Sequence, residues 1–249
     1  MQGLSPAEWR VLAAWVSGLA CGLSTLVLAP PAASQSIAPV LVELTPARRV
    51  ATITLDNTSG QSKVFQADTL AWTQRQGEDA YAPSTALIVT PAIVEIPAGK
   101  TQVFRVALRD SAPAAQEVAY RLILEDITDA DRAGGTKATV NLRLRFSLPL
   151  FAATRTEGSA APAWSPCRAP AGKRCIRLDN HGERRFRFAQ LVGETSGWKG
   201  SISAGDTVLV GGWKSWIFDL PPSAEGPLSI KAMTATGLVS IAPAPLPAS

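Results

Sequence analysis

Apolar and polar residues alternate along much of this chain, and the longest alternating run lies between residues 139 and 151. On one side of an extended chain this run would place only apolar residues, namely Val140, Leu142, Leu144, Phe146, Leu148 and Leu150. Because successive side chains of a strand point to opposite faces, this period of two predicts a β-strand. So long an apolar face has to be covered, either by the protein's own second sheet or by another protein.

The rest of the chain also predicts β-structure. Upstream strands are predicted at residues 37–44, 49–56, 63–74, 86–89, 92–96, 101–108 and 117–127, with turn residues between them. Shorter strands follow at residues 176–180, 185–192, 207–210, 214–220, 228–232 and 238–241. Helical periodicity is not sustained after residue 34. This spacing predicts an all-β protein built from antiparallel β-sandwiches.

The predicted organisation has four parts. Residues 1–34 form a signal peptide, residues 35–154 an N-terminal sandwich, residues 155–242 a smaller C-terminal sandwich, and residues 243–249 a disordered tail. The segment 152–175 is rich in Ala, Pro, Gly and Ser, which is typical of a linker or a loop-rich domain entry. The polar, Gly-containing segment 129–136 is predicted to be a flexible loop.

The signal peptide is predicted from its apolar run and its flanks. Residues 11–28 are apolar, Arg10 precedes them, and small residues up to Ser34 offer a cleavage site. The alternative is a retained anchor helix, since a bilayer span needs roughly 20 apolar residues. We favour cleavage because no charged stop-transfer cluster follows. The mature protein would then be exported and carry no stable membrane anchor.

Charge and cysteine content narrow the function classes. The formal net charge is only +4, and the basic residues are scattered, which argues against a nucleic-acid partner. After signal cleavage two cysteines remain, Cys167 and Cys175, and in an exported protein such a close pair predicts a disulfide. Two free thiols are the alternative. A metal site is less favoured because His181 is the only histidine, and we expect no metal or cofactor.

Several motifs resemble those of PapD-like periplasmic chaperones of the chaperone–usher pathway, which assemble pili. The resemblance covers nearly all of the predicted mature chain and rests on the order and spacing of its motifs. In the first half these are LDN (55–57), Trp72, IVTP (88–91), IPAGKTQVFR (96–105), YRLILEDI (120–127) and RFSLPLF (145–151). In the second half they are LDNHG (178–182) and VGGWKSW (210–216). The RFSLPLF form is similar to the archaic, spore-coat-U-type branch.

The resemblance implies two immunoglobulin-like β-sandwiches in an L-shaped arrangement and a mechanism of donor-strand complementation. A pilus subunit lacks the last strand of its own sandwich, and the chaperone lends one. The donor residues implied here are Val140, Leu142, Leu144 and Phe146. The alternative is that these residues only pack the protein's own core. Expected partners are pilus or fimbrial subunits and an outer-membrane usher.

The resemblance also implies a pair of cations that grip the subunit's C-terminal carboxylate through charge-assisted hydrogen bonds. The first-strand arginine of relatives has no counterpart, because Leu41 stands near that position. We therefore expect Arg145 to provide one cation and consider Arg48 or Arg49 for the other, although a solvated turn is the favoured interpretation of the last two. Arg105 and Asp126 match positions that form a buried ion pair in relatives.

Other function classes are less well supported. A secreted structural subunit or adhesin-like module is the main alternative, but a donor-like strand in mid-chain followed by a second domain disfavours it. An enzyme is not expected, because His181 is the sole imidazole and no G-x-S-x-G nucleophile motif occurs at a strand-to-helix turn. The tryptophans Trp72, Trp213 and Trp216 suggest core or interface positions rather than a sugar platform. For the free protein, a monomer and a self-capping dimer remain alternatives.

Overall fold

The computed structural model of the protein describes residues 35–109, 116–128, 143–153, 157–222 and 224–244. Every helix or strand assigned within these ranges is a β-strand, which confirms the predicted all-β class. The first ten are β1 (Ser36–Ala38), β2 (Val42–Leu44), β3 (Val50–Asn57), β4 (Lys63–Arg75), β5 (Glu78–Pro83), β6 (Leu87–Thr90), β7 (Ile93–Ile96), β8 (Lys100–Leu108), β9 (Val118–Asp126) and β10 (Arg145–Ala152). The others are β11 (Pro162–Pro166), β12 (Lys173–Asn180), β13 (Phe186–Ser196), β14 (Trp198–Val208), β15 (Trp213–Asp219), β16 (Glu225–Thr234) and β17 (Gly237–Pro243).

The first sandwich is built from strands β1 to β10. One sheet has the order β1-β3-β8-β6, and the other has the order β2-β10-β9-β4-β5, with β7 paired to β4. Alternate residues of both sheets point inward and form one core, which includes Ile53, Phe65, Phe104, Leu122 and Leu150, each at most 1% exposed. The period-two pattern of the sequence therefore reflects one buried and one outer face per strand.

The chain around Pro39 departs from the predicted single strand at residues 37–44. The structure divides this segment into β1 and β2, which belong to different sheets: β1 pairs with β3, and β2 pairs with β10. Pro39 has no N–H to donate to a sheet, so the ladder stops there and the chain crosses to the opposite sheet. The crossing brings β2 to the edge of β10.

The two LDN motifs have equivalent structural roles. Asn57 is 1% exposed and donates hydrogen bonds to the carbonyls of Ile96, Pro97 and Gln61. Asn180, also 1% exposed, donates to the carbonyls of Arg184 and Val208. Each side chain satisfies buried carbonyls at the end of a strand, so both motifs are explained by folding.

The second sandwich has the strand order β14-β13-β16-β17-β11-β12-β15. Its core includes Ile176, Leu178, Leu191, Val208 and Ile230. Strand β11 lies inside the segment 152–175, which was predicted to be a linker, and it pairs antiparallel with β12. The sequence did not indicate this strand because the segment is rich in Pro and Ala. The predicted disulfide is confirmed: Cys167 and Cys175 are bonded, with 4.9 Å between their Cα atoms.

Several predictions concern residues outside the described ranges. The signal peptide at residues 1–34, the loop at 129–136, the donor residues Val140 and Leu142, and most of the predicted tail belong to this group. Among the described residues, no helix is long and apolar enough to span a bilayer.

Candidate functional site

The apolar face of β10 serves the protein's own core along its second half. Leu148 is 5% exposed and Leu150 is fully buried, and both belong to the core of the first sandwich. Phe146 is half-buried, packs against the same core, and its ring centroid lies 6.5 Å from that of Phe65. Leu144 is half-buried and precedes the strand. Burial in the protein's own core thus increases along the strand.

One edge of β10 lacks a pairing strand within the described parts of the chain. β9 pairs with all of β10, from Arg145 opposite Glu125 to Ala152 opposite Val118. On the other edge, β2 pairs only with residues Leu150 to Ala152. From Arg145 to Pro149 the backbone groups of that edge are therefore open to an added strand, which is the arrangement that β-strand addition requires.

An apolar cluster joins the two sandwiches beside this edge. Trp72, Ala119 and Phe151 of the first sandwich pack with Leu209 of the second, and Leu41 packs against them. The ring centroids of Trp72 and Phe151 are 5.7 Å apart. Phe151 lies here because it points to the face of β10 opposite Leu150. The same strand therefore supplies both the first core and the inter-sandwich cluster.

A buried carboxylate adds an ionic contact between the sandwiches. The Glu117 side chain is 3% exposed, and its Oε2 lies 2.6 Å from Nη1 of Arg185 and 3.4 Å from Nη1 of Arg184. Arg185 also pairs with Glu43. Its guanidinium carbon lies 3.7 Å from the centroid of the Phe151 ring. Arg185 is thus held by two carboxylates and an aromatic face of the first sandwich.

Polar side chains make a second set of contacts between the two sandwiches. Gln74 donates to the carbonyl of Thr207 at 2.8 Å and accepts from the backbone N–H of Leu209 at 2.9 Å. Lys214 lies 3.3 Å from Asp79 and 2.7 Å from Asp206. Burial alone would raise the pKa of Asp79, but the hydrogen bond from Gln74 and the charge of Lys214 outweigh burial and lower it.

The tip of the hairpin between β4 and β5 also contacts the second sandwich. Gly77 has a φ of +83°, and a Cβ atom placed there would lie 2.6 Å from Cζ3 of Trp213. Only glycine meets both conditions at this position, because a side chain would be strained in the left-handed region and would overlap the indole.

Two cavities of about 650 Å³ and 630 Å³ are lined by residues of both sandwiches. The larger is lined in part by Leu41, Pro149, Arg121 and Arg187. Arg121, on β9, lies directly opposite Pro149 of β10, and its guanidinium carbon is 4.0 Å from the centroid of Trp72. Its Nε atom is buried without a hydrogen-bond partner in the described chain. A buried cationic donor beside a cavity can bind a carboxylate.

The structure does not bring the predicted anchor residues together at this cavity. Arg145 lies at the start of β10, seven residues before Ala152, or about 23 Å along a strand. There it is exposed and 3.6 Å from Glu125. Arg48 and Arg49 are exposed in the turn that follows β2, so they lie beyond the end of β10 that is opposite Arg145. None of the three lines either of the two cavities.

Sequence reasoning missed Arg121 and Arg187 as cavity residues. Arg121 interrupts the apolar run of YRLILEDI, and Arg187 alternates with Phe186 and Phe188. Both patterns show that the arginines face away from the cores. The sequence contains no sign that the two outer faces meet at one cavity, because that depends on how the sandwiches pack.

The predicted ion pair between Arg105 and Asp126 is wrong. Asp126 is 2% exposed and its Oδ2 lies 3.0 Å from Nζ of Lys63. Arg105 is exposed on β8, which belongs to the other sheet of the first sandwich. Because Lys63 starts β4 beside the end of β9, it reaches the carboxylate from the same sheet.

The three tryptophans considered for a sugar platform occupy separate positions. Trp72 lies in the inter-sandwich cluster, and Trp216 packs against the core of the second sandwich. Trp213 is covered by Arg177, whose guanidinium carbon is 4.0 Å from the ring centroid. His181 is exposed beside β12. The described chain contains no group of three His, Cys, Asp or Glu side chains that could hold a metal ion.

Comparison with known proteins supports the interpretation of this fold. Residues 34–154 match the family profile described as "Pili and flagellar-assembly chaperone, PapD N-terminal domain". No protein of curated function matches the sequence.

Solved structures match nearly the whole chain. A chain of the CsuC–CsuE chaperone–tip adhesion subunit pre-assembly complex from archaic Csu pili of Acinetobacter baumannii has a TM-score of 0.65 and 21% identity. The match covers 86% of this chain and 100% of that one. The class 5 fimbriae chaperone CfaA has a TM-score of 0.57 and 15% identity, with coverage of 86% and 100%. A chain of the Salmonella enterica SafA pilin–SafB chaperone complex has a TM-score of 0.57 and 15% identity, with coverage of 84% and 94%.

At these identities the solved structures establish the fold, and the profile match covers the first sandwich. The immunoglobulin-like pair of sandwiches expected from the sequence is therefore confirmed. Residues 34–154 of this chain are therefore similar to the N-terminal domain of PapD, a pili and flagellar-assembly chaperone.

Proposed function

We propose that this protein is a non-enzymatic chaperone that binds pilus subunits by donor-strand complementation. The observation that carries the proposal is the open edge of β10 between Arg145 and Pro149, in a sandwich similar to the PapD N-terminal domain. Similar solved chains come from complexes of a chaperone with a tip adhesion subunit and of a chaperone with a pilin. A pilus subunit is therefore the partner that fits this edge.

The physical need for such a chaperone follows from the subunit. A sandwich without its last strand has unpaired backbone groups and an open apolar groove, and both promote aggregation. An added strand supplies main-chain hydrogen bonds, and its alternate apolar side chains fill the groove. We retain Val140, Leu142, Leu144 and Phe146 as the proposed donors. Each such side chain contributes roughly 1.5–3 kcal/mol when it is fully buried.

The donors need not be equivalent. Phe146 already packs against the first core, so its burial in a subunit would add less apolar surface than the burial of a free side chain. Leu144 stands before the strand and is only half-buried. We therefore assign Leu144 a larger share of the binding energy than Phe146.

For the subunit's C-terminal carboxylate we propose Arg121 and Arg187 as the anchor in place of Arg145, Arg48 and Arg49. Both line the larger cavity, and one comes from each sandwich. The buried Nε of Arg121 offers a donor that lacks an acceptor in the described structure. A carboxylate there would satisfy this donor through a charge-assisted hydrogen bond.

We further propose that the protein acts in the periplasm and passes its subunits to an outer-membrane usher, as a member of the archaic branch. The Cys167–Cys175 disulfide fits an oxidising compartment. The highest TM-score among the comparisons above is that of a chain from an archaic pilus complex. For the free protein, a self-capping dimer that covers the open edge and a monomer remain alternatives.

Co-expression with a pilin-like subunit tests the proposed function. We expect a stoichiometric soluble complex with the wild-type protein and degradation of the subunit alone. Leu142→Asp together with Leu144→Asp should reduce the recovered complex more than tenfold, since two charges cannot enter an apolar groove. The matched control, Asn141→Asp with Arg143→Asp, changes the other side of the same segment.

Circular dichroism and thermal unfolding would establish that both double variants fold. A folded donor-side variant that captures the subunit as well as the wild type would contradict donation by this segment. Equal losses in both double variants would point to a non-specific charge effect and would equally contradict the assignment.

A further inference from the structure

The backbone groups of β10 that point toward its open edge can be identified from two hydrogen bonds. The N–H of Asp126, at the end of β9, donates to the carbonyl of Leu144 at 2.9 Å. On the opposite edge, the N–H of Ala153 donates to the carbonyl of Leu44, beside β2, at 3.0 Å. Backbone groups of successive strand residues alternate between the two edges. Even-numbered residues therefore face β9, and odd-numbered residues face the open edge.

This alternation places Arg145, Ser147 and Pro149 on the open edge. The first two each present an N–H and a carbonyl, whereas Pro149 presents a carbonyl only, since proline has no N–H. Proline is found in sheets at such edge positions, where the missing donor breaks no ladder bond of the protein itself. Beyond Pro149 the edge is occupied, because Phe151 pairs with β2.

The larger cavity begins at the same point of the strand. Pro149 lines it together with Leu41, which immediately precedes β2, and with Arg121, the cross-strand neighbour of Pro149. A strand that extends along the open edge toward the second sandwich thus meets three features at one level. Pro149 offers it no N–H donor, β2 occupies the edge beyond Pro149, and the larger cavity lies beside this point.

We propose that Pro149 and β2 form a register stop: an added subunit strand pairs with β10 at Arg145 and Ser147 and must leave the sheet at Pro149, into the cavity. The proposal rests on the proposed function, because it assumes that the open edge binds a strand of a subunit. The stop fixes which residues of that strand lie opposite the donor side chains. Alternation of apolar side chains excludes a slip of one residue, which would move every side chain to the other face, but it does not exclude a slip of two.

Amide hydrogen exchange with a defined strand probe tests the stop. The probe is an N-acetylated octapeptide of alternating valine and threonine with a free carboxylate, added to the full protein. With the wild type we expect about tenfold slower exchange of the Arg145 and Ser147 amides. With Pro149→Val, the amide introduced at position 149 should also exchange more slowly, and the peptide should bind about two- to tenfold more tightly through one added hydrogen bond.

Two further variants complete the design. Pro83→Val is the matched control, since Pro83 is an exposed proline on β5 at the other edge of the same sheet. It should leave binding and exchange unchanged. Ser147→Pro removes a second donor two residues back along the edge, so we expect about two- to tenfold weaker binding, with protection of the Arg145 amide only. This variant retains a test of the stop if Pro149→Val does not fold.

The outcomes separate the stop from the proposed function. Slow exchange at Arg145 and Ser147, with an unprotected amide at position 149 and unchanged affinity in Pro149→Val, would overturn the stop and leave the edge intact as a binding site. Unchanged exchange at Arg145 and Ser147 in the wild type would overturn strand addition at this edge, and the stop with it. Protection confined to β5 would have the same consequence.

Discussion

Oε2 of Glu117 lies 2.6 Å from Nη1 of Arg185, and this ion pair joins the two sandwiches at a position where only 3% of the glutamate side chain is exposed. The backbone N–H of Arg185 also donates to Oε1 of Glu117 at 3.0 Å. Both carboxylate oxygens are therefore used. The inter-sandwich contact depends on this residue more than on any surface ion pair, because buried charges without partners are costly.

Glu117→Gln should lower the free energy of unfolding by roughly 1–3 kcal/mol, since the arginines lose a charged acceptor while a neutral one remains. Urea unfolding followed by tryptophan fluorescence would measure the change. The control is Glu125→Gln, which removes the partner of Arg145 from a pair that is about half exposed. We expect an effect of at most about 0.5 kcal/mol there. Equal effects of the two variants would contradict the role assigned to Glu117.

Asp126 predicts a pH dependence of stability. Burial alone would raise the pKa of Asp126, but hydrogen bonds from the side chain and backbone of Thr128 and the nearby Lys63 outweigh burial and lower it. A carboxyl group with a lowered pKa in the folded state stabilises the fold above its unfolded-state pKa, near 3.9. That stabilisation is lost as the pH falls through the pKa that Asp126 has in the folded protein. We therefore expect the loss to begin below about pH 4.

Asp126→Asn isolates this contribution. The variant should be less stable than the wild type at pH 7, and the difference between the two free energies of unfolding should shrink as the pH falls below about 4. Urea unfolding of both proteins from pH 7 to below about pH 4 would measure this difference. The control is Asp68→Asn, at an exposed position of β4. A difference that stays constant from neutral to acidic pH would contradict the ion pair with Lys63.

Arg121 and Arg145 make opposite predictions for subunit capture. If the carboxylate anchor lies in the larger cavity, Arg121→Ala should weaken binding about tenfold or more, because charge-assisted hydrogen bonds contribute roughly 1.5–3 kcal/mol. Arg145→Ala should change it less than about twofold, since its exposed pair with Glu125 contributes little. The measurement is the dissociation constant of the purified chaperone–subunit complex.

A subunit extended by a few residues at its C-terminus provides the control for that comparison. The extension moves the carboxylate away from its native position, so Arg121→Ala should have little further effect on this subunit. A tenfold loss with both native and extended subunits would show that Arg121 acts through packing against Trp72 rather than through the carboxylate.

Much of the first sandwich could be predicted because burial imposes a visible period on each strand. Strand β3 was expected at residues 49–56 and spans Val50–Asn57, and β4 was expected at 63–74 and spans Lys63–Arg75. The strand β5 was missed, because its residues are mostly exposed and have no apolar face to reveal them. Strand β11 was missed for a related reason, since Pro and Ala dominate it.

Local patterns in the chain were enough to predict the all-β class, the apolar strand near residue 145 and the cysteine pair, because each depends on residues close together in the sequence. Tertiary structure alone decided that Leu148 and Leu150 belong to the first core, that β2 closes one end of the β10 edge, and that Lys63 rather than Arg105 pairs with Asp126. It also placed Arg121 and Arg187 at one cavity. These contacts join residues far apart in the chain, and alternation specifies only the face of a residue, not the element that covers it.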